Sequence, residues 1–430
     1  MSKRFLIVGV SVLLIVLMAG IGFAAKKPDK LIFWSFTPNN FKEIEDRKAE
    51  IEKKFDIKLE MELLDQQTML TRLRSVATAG EGWPDIIDGY GDDAVLIAHP
   101  EVERSLVIPL DDFVKKSKIA SQIVPARLKK YNFGGHQYGL PNDVHPSVLI
   151  YNDEAWKAAG VDMAKIETWD EFFEAGKKVA VDKNGDGKQD AYPMMAHWYS
   201  IGQMMMQQAG IRLEDDKGIP QLSNPEFVAQ LEKLLGWYKQ GLIMDMDWAA
   251  VWDHIKEGRL LALTTPDWWL NGSIAPLTGT KVEGKMRARP LPAWTKGGPR
   301  TAAWGGSYKA ITIGCKYPEF AYQVIEDMNY GAGIAGPKYK SSGILLPIAS
   351  AWDAEEFKMP YPVYGGQQIG LLQIEMAKEM PVQEVFLFSV RGWGRLNDVW
   401  TAITGNQKTI KEALAEAQKE LMKEIEEYQM

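Results

Sequence analysis

An alternation of strand and helix patterns that starts at Lys30 most restricts the folds this chain can adopt. The first run, KLIFWSF, is apolar almost throughout, which is typical of a strand buried on both faces. The next stretch, FKEIEDRKAEIEKKF, carries apolar residues at roughly helical spacing, and IKLEMEL then alternates as a half-buried strand does. Strand, helix and strand with short links form a βαβ unit, so the sequence predicts a parallel sheet.

The alternation continues with a helix over Gln67–Ala79 and a short strand over Pro84–Ile87. Ligands of such sheets bind beyond the carboxyl ends of the strands. This rule directs attention to three loops: Phe36–Asn40, Leu64–Gln66 and Asp88–Asp93.

A second α/β region begins near Tyr138. It contains the strand run SVLIYN, a helix with a capping box at TWDEF, and the strand run RLLALTT. A second capping box predicts that the last helix begins at Thr409. With 430 residues the chain exceeds what one core holds, so we predict two lobes, each a mainly parallel sheet flanked by helices, joined by hinge crossings. The predicted division is residues 1–24 as signal peptide, 25–139 plus 296–350 as lobe 1, and 140–295 plus 351–430 as lobe 2.

The N-terminal segment has the pattern of a secretory signal. Lys3 and Arg4 precede an apolar run that ends at Phe23, and small residues predict cleavage after Ala24. A retained membrane anchor is the alternative, because the run is long for a signal. The single cysteine, Cys315, is far from this segment, so a lipid-modified anchor is excluded and no disulfide framework exists. We expect a soluble exported protein, located in the periplasm.

The formal net charge is −7 and becomes −9 without Lys3 and Arg4. An acidic chain without a basic cluster argues against a nucleic-acid partner.

The stretch DKNGDGKQD has the oxygen-ligand spacing of an EF-hand-type calcium loop. Position 12 of such a loop is a bidentate Glu, and here it is Pro193, so the last ligand would have to come from elsewhere. The alternative is a surface loop in which Asp and Asn side chains cap turns. Either reading makes the loop structural, with a possible structural Ca²⁺ and no other cofactor. The candidate ligands are Asp182, Asn184, Asp186, the carbonyl of Lys188, and Asp190.

Motifs for catalysis and for dinucleotide binding are weak. GAGIAG (Gly331–Gly336) follows a helical pattern instead of a strand, which indicates a helix stop and a loop. The sequence lacks the nucleophile-elbow and zinc-protease motifs, and its five histidines show no ligand spacing. Carboxylate pairs are frequent, so a glycosidase stays possible.

Tryptophan is the strongest signal for function. Of 15 Trp, several occupy polar, turn-like settings, among them Trp198, the pair Trp268 and Trp269, Trp304 before two glycines, and Trp393 between glycines. Sugar rings stack their C–H faces on indoles, and their hydroxyls need carboxylates and amides nearby. Packing in a core is the alternative for any single Trp, so the interpretation depends on the group.

The chain resembles the family 1 extracellular solute-binding proteins of bacterial ABC importers, the maltose-binding-protein-like family. The resemblance covers nearly all of the chain after the signal, through loose motifs in a fixed order: KLIFWSF, SVATAGEGWPDII, GHQYGLP, LIYNDEAWKAAGV, TWDEF, HIKEGRLLALTTPDWW, ARPLPAW, AWGGSYKAITI and ITGNQKTIKEALAEA. It implies two α/β lobes crossed by hinge strands, a cleft that closes on a saccharide, and delivery to a membrane permease.

The resemblance also implies positions in the site. The family's acidic position after PDII is kept at Asp92, but its basic neighbour is replaced by Asp93. The family's sugar-binding acid falls at His145, and its stacking aromatics fall at Trp269 and Trp393, with Trp198 in the corresponding helix entry.

The sequence therefore predicts a monomeric oligosaccharide receptor without chemistry of its own. A secreted carbohydrate-active enzyme and a receptor for a non-sugar solute are the alternatives. The candidate ligand-binding residues are Trp34, Thr37, Asn39, Asp65, Tyr90, Asp92, Asp143, His145, Trp198, Trp268, Trp269, Trp304 and Trp393.

Overall fold

The computed structural model describes residues 27–98, 102–182, 185, 189–196, 201–215, 219–245, 247–383 and 389–429. The predicted signal peptide, residues 1–24, lies outside these ranges. No helix in the described ranges is long and apolar enough to cross a bilayer. Cleavage after Ala24 and the retained anchor both stay predictions.

The chain alternates between strands and helices along most of its length. The strands are β1 Lys30–Ser35, β2 Lys58–Leu63, β3 Ile86–Tyr90, β4 Asn132–Phe133, β5 His136–Gln137, β6 Leu140–Pro141, β7 Val148–Asn152, β8 Met194–Ala196, β9 Ile243–Asp245, β10 Ala262–Thr265, β11 Met286–Pro290 and β12 Ser307–Ile311. The α-helices are α1 Pro38–Phe55, α2 Gln66–Ala79, α3 Ala94–Ile97, α4 Asp111–Lys116, α5 Pro125–Lys129, α6 Asp153–Ala158, α7 Trp169–Gly176, α8 Gln203–Ala209, α9 Pro225–Lys239, α10 Val251–Glu257, α11 Asp267–Gly272, α12 Ile274–Leu277, α13 Pro318–Tyr330, α14 Ala335–Ser342, α15 Ile369–Lys378, α16 Ser389–Thr404 and α17 Ile410–Gln429.

The first lobe is built on a sheet with the strand order β2-β1-β3-β12-β6. β1 pairs in parallel with both β2 and β3, which confirms the predicted βαβ unit. β12 comes from much later in the chain and runs antiparallel to β3 and β6. The β12–β6 side of this sheet therefore depends on contacts between distant parts of the sequence, whereas the β2 edge is formed by the local βαβ unit.

Strand β1 is buried on both faces, as its apolar run predicts. Leu31 and Phe33 face a cluster that includes Ile44 and Ile51 of α1. Trp34 faces the opposite cluster, with residues of α2 and β12. The alternation of side chains along the strand thus places α1 and α2 on opposite faces of the sheet.

The second lobe is built on a sheet with the order β10-β7-β11. Both β10 and β11 run antiparallel to β7, so the expectation of a mainly parallel sheet is wrong for these strands. The runs SVLIYN and RLLALTT did predict β7 and β10 themselves. An apolar run indicates that a strand is buried on both faces, but it does not indicate whether the neighbouring strands run parallel or antiparallel to it. A separate parallel pair joins β8 and β9.

Both predicted capping boxes are present. In α7 the hydroxyl of Thr168 accepts the Glu171 N–H and the Glu171 carboxylate accepts the Thr168 N–H. Thr409 and Glu412 exchange the same two bonds at the start of α17, at 3.2 and 2.9 Å. GAGIAG follows α13 and runs into α14, as the predicted helix stop requires.

Three segments lie side by side at the hinge, and we call them the crossing segments: residues 140–147, which join β6 to β7, residues 301–307, which lead into β12, and residues 343–348. The Asn142 N–H donates to the Ser307 carbonyl and the Ser147 N–H donates to the Ala302 carbonyl, each at 3.0 Å. The Val144 N–H donates to the Leu345 carbonyl at 3.0 Å. These bonds tie the three crossing segments into one hinge region. The exact lobe boundaries predicted from the sequence stay a prediction.

Candidate functional site

The candidate site is a cavity of about 340 Å³ at the hinge, between loops of the first lobe and the start of α11 on the second. A larger cavity of about 610 Å³ lies against Gly331–Gly336. None of the predicted ligand-binding residues lines the larger cavity, whereas seven of them line the smaller one. We therefore treat the smaller cavity, called the cleft below, as the functional site.

The first-lobe side of the cleft consists of loops at the carboxyl ends of β1 and β3. Phe36, Thr37, Asn39 and Asn40 follow β1, and Tyr90 ends β3. The rings of Phe36 and Tyr90 lie 5.9 Å apart. Two of the three strand-end loops predicted from the sequence thus lie at the cleft, where parallel strands direct them.

A buried polar network holds this side in place. The amide of Asn40 donates to the carboxylate of Asp88 at 3.0 Å and to the hydroxyl of Ser307 at 3.1 Å. The hydroxyl of Ser35 donates to Asp88 at 2.7 Å, and the amide of Asn142 donates to Ser307 at 2.9 Å. The loop after β1 is therefore fixed to the hinge by hydrogen bonds inside the protein.

The opposite side is aromatic, and we call Trp248, Trp268 and Trp304 the indole wall. The ring centres of Trp248 and Trp304 are 5.7 Å apart, and those of Trp268 and Trp304 are 5.9 Å apart. Trp269 lies behind the wall, with its ring 5.1 Å from Trp248 and 5.6 Å from Trp304. Trp252 supports Trp269 at 5.6 Å. Tilted and edge-on ring contacts of this kind give a rigid apolar face.

Polar contacts orient two members of the indole wall. The Trp268 indole N–H donates to the carbonyl of Trp304 at 3.3 Å. Trp248 is 47% exposed, the largest exposure in the wall. It follows Asp247, whose carboxylate lies 3.3 Å from Nε2 of His254 on α10. The loop that carries Trp248 is thus fixed to α10 beside the cleft.

The floor of the cleft carries charged groups that are paired with one another. Arg127 donates to the Asp143 carboxylate at 2.9 Å and to its carbonyl at 3.1 Å. Ser307 donates its N–H and its hydroxyl to the other carboxylate oxygen at 3.0 and 2.8 Å. His145 lies between two carboxylates, with Nε2 at 3.1 Å from Asp143 and Nδ1 at 2.6 Å from Asp267.

These pairings determine the protonation of His145. Burial alone would lower the pKa of His145, but the attraction and hydrogen bonds of Asp143 and Asp267 outweigh it and raise the pKa to about 9. Burial likewise opposes ionisation of Asp143, yet His145 and Arg127 hold the pKa of its carboxyl well below the usual range. At neutral pH, therefore, His145 is a cation, and the positive charges of His145 and Arg127 are balanced by the carboxylates of Asp143 and Asp267.

Seven predicted residues line the cleft: Thr37, Asn39, Tyr90, Asp143, His145, Trp268 and Trp304. Four other predicted residues are described but do not line the cleft. Two of them, Trp34 and Asp65, have roles within the first lobe. Trp34 is buried in the first lobe beneath the guanidinium of Arg72, 4.3 Å from its ring centre. Asp65 caps α2 by accepting the Thr68 N–H at 2.9 Å.

The two tryptophans carried over from the family as stacking residues do not line the cleft. Trp269 is 9% exposed and lies behind the indole wall. Trp393 is 2% exposed and belongs to the hydrophobic cluster of the second lobe. The ligand contacts that the resemblance implies for Trp269 and Trp393 therefore stay predictions, and Trp393 is as buried as a core residue. Trp198 and the side chain of Asp92 lie outside the described part of the chain.

Sequence reasoning missed several lining residues. Trp248 is the most consequential, and its polar setting, DMDW, is the same signal that singled out other tryptophans. Asn40 and Phe36 fall in a loop that the strand-end rule identified, although neither was selected. Ser307 and Ile344 also line the cleft, but they reach it from crossing segments and carry no local sequence signal.

The calcium-like loop lies mostly outside the described residues, including Asn184, Asp186 and Lys188. At its start the Asp182 carboxylate accepts the Gly185 N–H at 2.7 Å, which is a turn-capping contact. At its end the Asp190 N–H donates to the Val181 carbonyl at 2.7 Å. None of these described residues lines the cleft. Calcium binding stays a prediction.

Comparison with known proteins gives the same architecture. An arabinooligosaccharide-binding protein of Halalkalibacterium halodurans is 28% identical over 308 residues, which cover 68% of this chain and 65% of that protein, just under two thirds of its length. The protein of the same description from Bacillus subtilis is 26% identical over 411 residues, which cover 91% and 92% of the two chains. The sugar-binding protein MalE of Xanthomonas citri superimposes with a TM-score of 0.76 at 17% identity, covering 91% of this chain and 96% of that one. This structural likeness confirms the predicted two-lobe fold.

Residues 46–359 match the family model described as bacterial extracellular solute-binding protein. The match spans well over half of the chain. The chain belongs to the bacterial extracellular solute-binding proteins.

Proposed function

We propose that this protein is an extracytoplasmic receptor that binds an oligosaccharide between its lobes, closes on it and delivers it to the permease of an ABC importer. The observation that carries the proposal is the indole wall facing the polar loops after β1 and β3 across one cleft. An oligosaccharide needs both surfaces, since its rings are apolar on their faces and polar at their edges. The two arabinooligosaccharide-binding relatives support this ligand class.

We assign no chemistry to the cleft. Among the described lining residues the carboxylate is that of Asp143, and Arg127, Ser307 and His145 already engage both of its oxygens. Glycosidases use two carboxyl groups about 5–10 Å apart, one of which must be free to exchange a proton. The arrangement of this floor favours binding over hydrolysis.

Three further parts of the proposal follow from the receptor role. The signal peptide is removed after about Ala24 and the mature protein acts as a soluble monomer in the periplasm. Its partners are the ligand and the membrane subunits of the importer. Membership of an extracellular family supports the location.

A thermal-shift screen of the mature protein tests the ligand class. The panel contains arabino-oligosaccharides, maltotetraose and other neutral oligosaccharides, with polyamines and oligopeptides as the competing class. At about 100 times its Kd, a ligand that binds only the folded protein adds about 2.7 kcal/mol to the free energy of unfolding, so Tm should rise by several degrees. Trp248→Ala serves as the control, because removal of a wall indole weakens binding and should strongly reduce the shift.

Other outcomes would overturn the proposal. Release of shortened saccharides during long incubation, detected by chromatography, would indicate an enzyme. Saturable binding of a polyamine or a peptide that oligosaccharides do not displace would indicate a receptor for a different solute.

A further inference from the structure

The three crossing segments meet at one buried histidine. His145 lies in the segment 140–147, and each of its ring nitrogens faces a different carboxylate, Asp143 or Asp267. Both carboxylates are almost fully buried. Each of them makes further bonds to other parts of the hinge.

Asp143 connects His145 to the first lobe and to the second crossing segment. One carboxylate oxygen accepts from Arg127, which lies on α5 of the first lobe, at 2.9 Å. The other oxygen, 3.1 Å from His145 Nε2, also accepts the N–H of Ser307 at 3.0 Å. Asp143 therefore moves with the first lobe.

Asp267 connects His145 to the second lobe and to the third crossing segment. It begins α11, directly after β10 of the second sheet. One oxygen lies 2.6 Å from His145 Nδ1, and the other accepts the Leu345 N–H at 3.0 Å. The series Arg127, Asp143, His145, Asp267 and Leu345 joins both lobes and two of the crossing segments, with His145 in the middle. The bond from Ser307 to Asp143 adds the segment 301–307.

His145 also faces the cleft. Its backbone is in the left-handed region, with φ of 59°, an uncommon conformation for a residue other than glycine. A Cβ on Gly305, which lines the cleft beside it, would lie 3.7 Å from Cδ2 of the ring. Because both ring nitrogens are engaged by carboxylates, a ligand in the cleft meets the C–H edge of the ring and not a free donor.

Other charged and titratable groups near His145 interact with Asp143 or Asp267, or bond to the backbone of the crossing segments. They are Arg127, Lys130 and Tyr131 on or after α5, Lys309 on β12, Tyr330 on α13, and Lys338 and Tyr339 on α14. Burial raises the pKa values of Tyr330 and Tyr339, so both phenols stay neutral over the range used below.

We propose that His145 is the positioning residue that couples occupancy of the cleft to the angle between the lobes. The inference depends on the proposed function, since it requires a ligand that binds between the lobes. When the second lobe rotates, Asp267 moves with it while Asp143 stays with the first lobe, so His145 can keep both bonds only within a narrow range of angles. A ligand that packs on the ring stabilises the bridged arrangement and with it one lobe angle.

The variant His145→Asn tests the coupling. Asn tolerates the left-handed backbone but cannot reach both carboxylates. His136→Asn is the matched control, because His136 forms a half-exposed pair with Asp111, at 3.2 Å, away from the cleft. Affinity for arabino-oligosaccharides is measured by calorimetry, and lobe closure by energy transfer between dyes, one on each lobe, in a Cys315→Ser background. We expect His145→Asn to lower the affinity at pH 7 by about 5- to 150-fold, the usual range of coupling between sites, with a smaller change in energy transfer on binding.

A pH series distinguishes coupling from a general loss of structure. In the wild type, affinity and closure should decline together as the pH rises from 8 to 10, and this decline should be larger than any decline in His145→Asn. Titration of Lys309, whose pKa burial lowers, is common to both proteins and therefore cancels in the comparison. The ligand-free proteins provide a second readout, because the lobe distance should shift more between pH 8 and 10 in the wild type than in His145→Asn.

The inference is wrong if His145→Asn binds and closes like the wild type, or if the lobe distance of the ligand-free wild type does not depend on pH. Failure of the proposed function gives a different result: no saccharide binds any of the proteins, while the ligand-free lobe distances still differ between wild type and His145→Asn.

Discussion

The two sides of the cleft are built from different kinds of interaction. On the first-lobe side, Asn40 and its neighbours are held by buried hydrogen bonds to Asp88 and Ser307. On the opposite side, indoles pack against one another at tilted angles and Trp248 is half-exposed. A substitution on the polar side therefore changes stability and binding together, whereas the exposed part of the indole wall can be changed with little effect on the fold.

Tryptophan itself shows the same contrast. Trp248 and Trp393 are chemically identical, but Trp248 is 47% exposed at the cleft and Trp393 is 2% exposed in the core of the second lobe. Position at the cleft, and not residue type, separates a binding role from a packing role. The predictions below test this separation.

The largest effect is expected for Trp393→Ala. Truncation of a buried Trp leaves a cavity, so the free energy of unfolding should fall by about 3–5 kcal/mol. Chemical denaturation followed by circular dichroism measures the loss. The affinity of the protein that remains folded should be close to that of the wild type. An unchanged stability with a large loss of affinity would show that Trp393 contacts the ligand after all.

Trp248→Ala should have the opposite effect, with weaker ligand binding and nearly unchanged stability. Loss of an exposed stacking face should weaken saccharide binding by about 2–4 kcal/mol, the usual range for aromatic anchors at interfaces. At about 1.4 kcal/mol per decade, this corresponds to a fall in affinity of roughly 30- to 1,000-fold. Isothermal titration calorimetry measures it, and Trp248→Phe is the matched variant that keeps a smaller aromatic face. A collapse of Tm in Trp248→Ala with normal affinity would contradict the assignment of the wall.

Stability should depend on pH through His145. Its pKa in the folded protein is raised from 6.5 to about 9, so its contribution is fully present below pH 6.5 and is lost as the pH rises through about 9. The shift corresponds to roughly 3 kcal/mol. Urea titrations from pH 6 to pH 10 should show this decline in the wild type and in His136→Asn, but not in His145→Asn. Parallel curves for all three proteins would mean that His145 is not charged in the folded state.

The sequence predicted the first-lobe side of the cleft better than the hinge. Strand periodicity and the strand-end rule identified the loops at Thr37 and Tyr90, because both depend on local patterns. His145 was identified only through the family resemblance. The bonds that it makes to Asp143 and Asp267 could not be predicted, since Asp267 lies 122 positions further along the chain.

The aromatic side shows why single residues are harder to place than elements. The polar, turn-like setting of Trp268 and Trp269 selected both. Adjacent residues at the start of α11 point in different directions, however, and of these two only Trp268 lines the cleft. The direction of strand pairing in the second sheet was missed for a related reason: it depends on contacts between β7, β10 and β11, which no local pattern records.

Asp65 offers a smaller test on the first-lobe side. It was predicted to bind ligand, but its carboxylate caps α2 through the Thr68 N–H at 2.9 Å. Asp65→Ala should lower the free energy of unfolding by about 0.5–2 kcal/mol, the usual loss of an N-cap. Asp65→Asn, which can still cap the helix, should retain most of the stability. Both variants should bind the saccharide with the affinity of the wild type. A loss of affinity in either variant would show that Asp65 contributes to ligand binding.

The smallest effect is expected for removal of divalent cations. The described ends of the DKNGDGKQD loop, from Asp182 to Asp190, are closed by hydrogen bonds within the chain and do not line the cleft. EDTA should therefore leave the saccharide Kd unchanged to within about twofold, as for independent sites. Tm measured in the same samples separates the two structural readings. A lower Tm in EDTA, restored by calcium, would support a structural metal, and an equal Tm with no calcium by elemental analysis would support turn capping. A higher Kd in EDTA, measured on protein that is still fully folded, would contradict both interpretations of the loop, because it would mean that the loop affects ligand binding in the cleft.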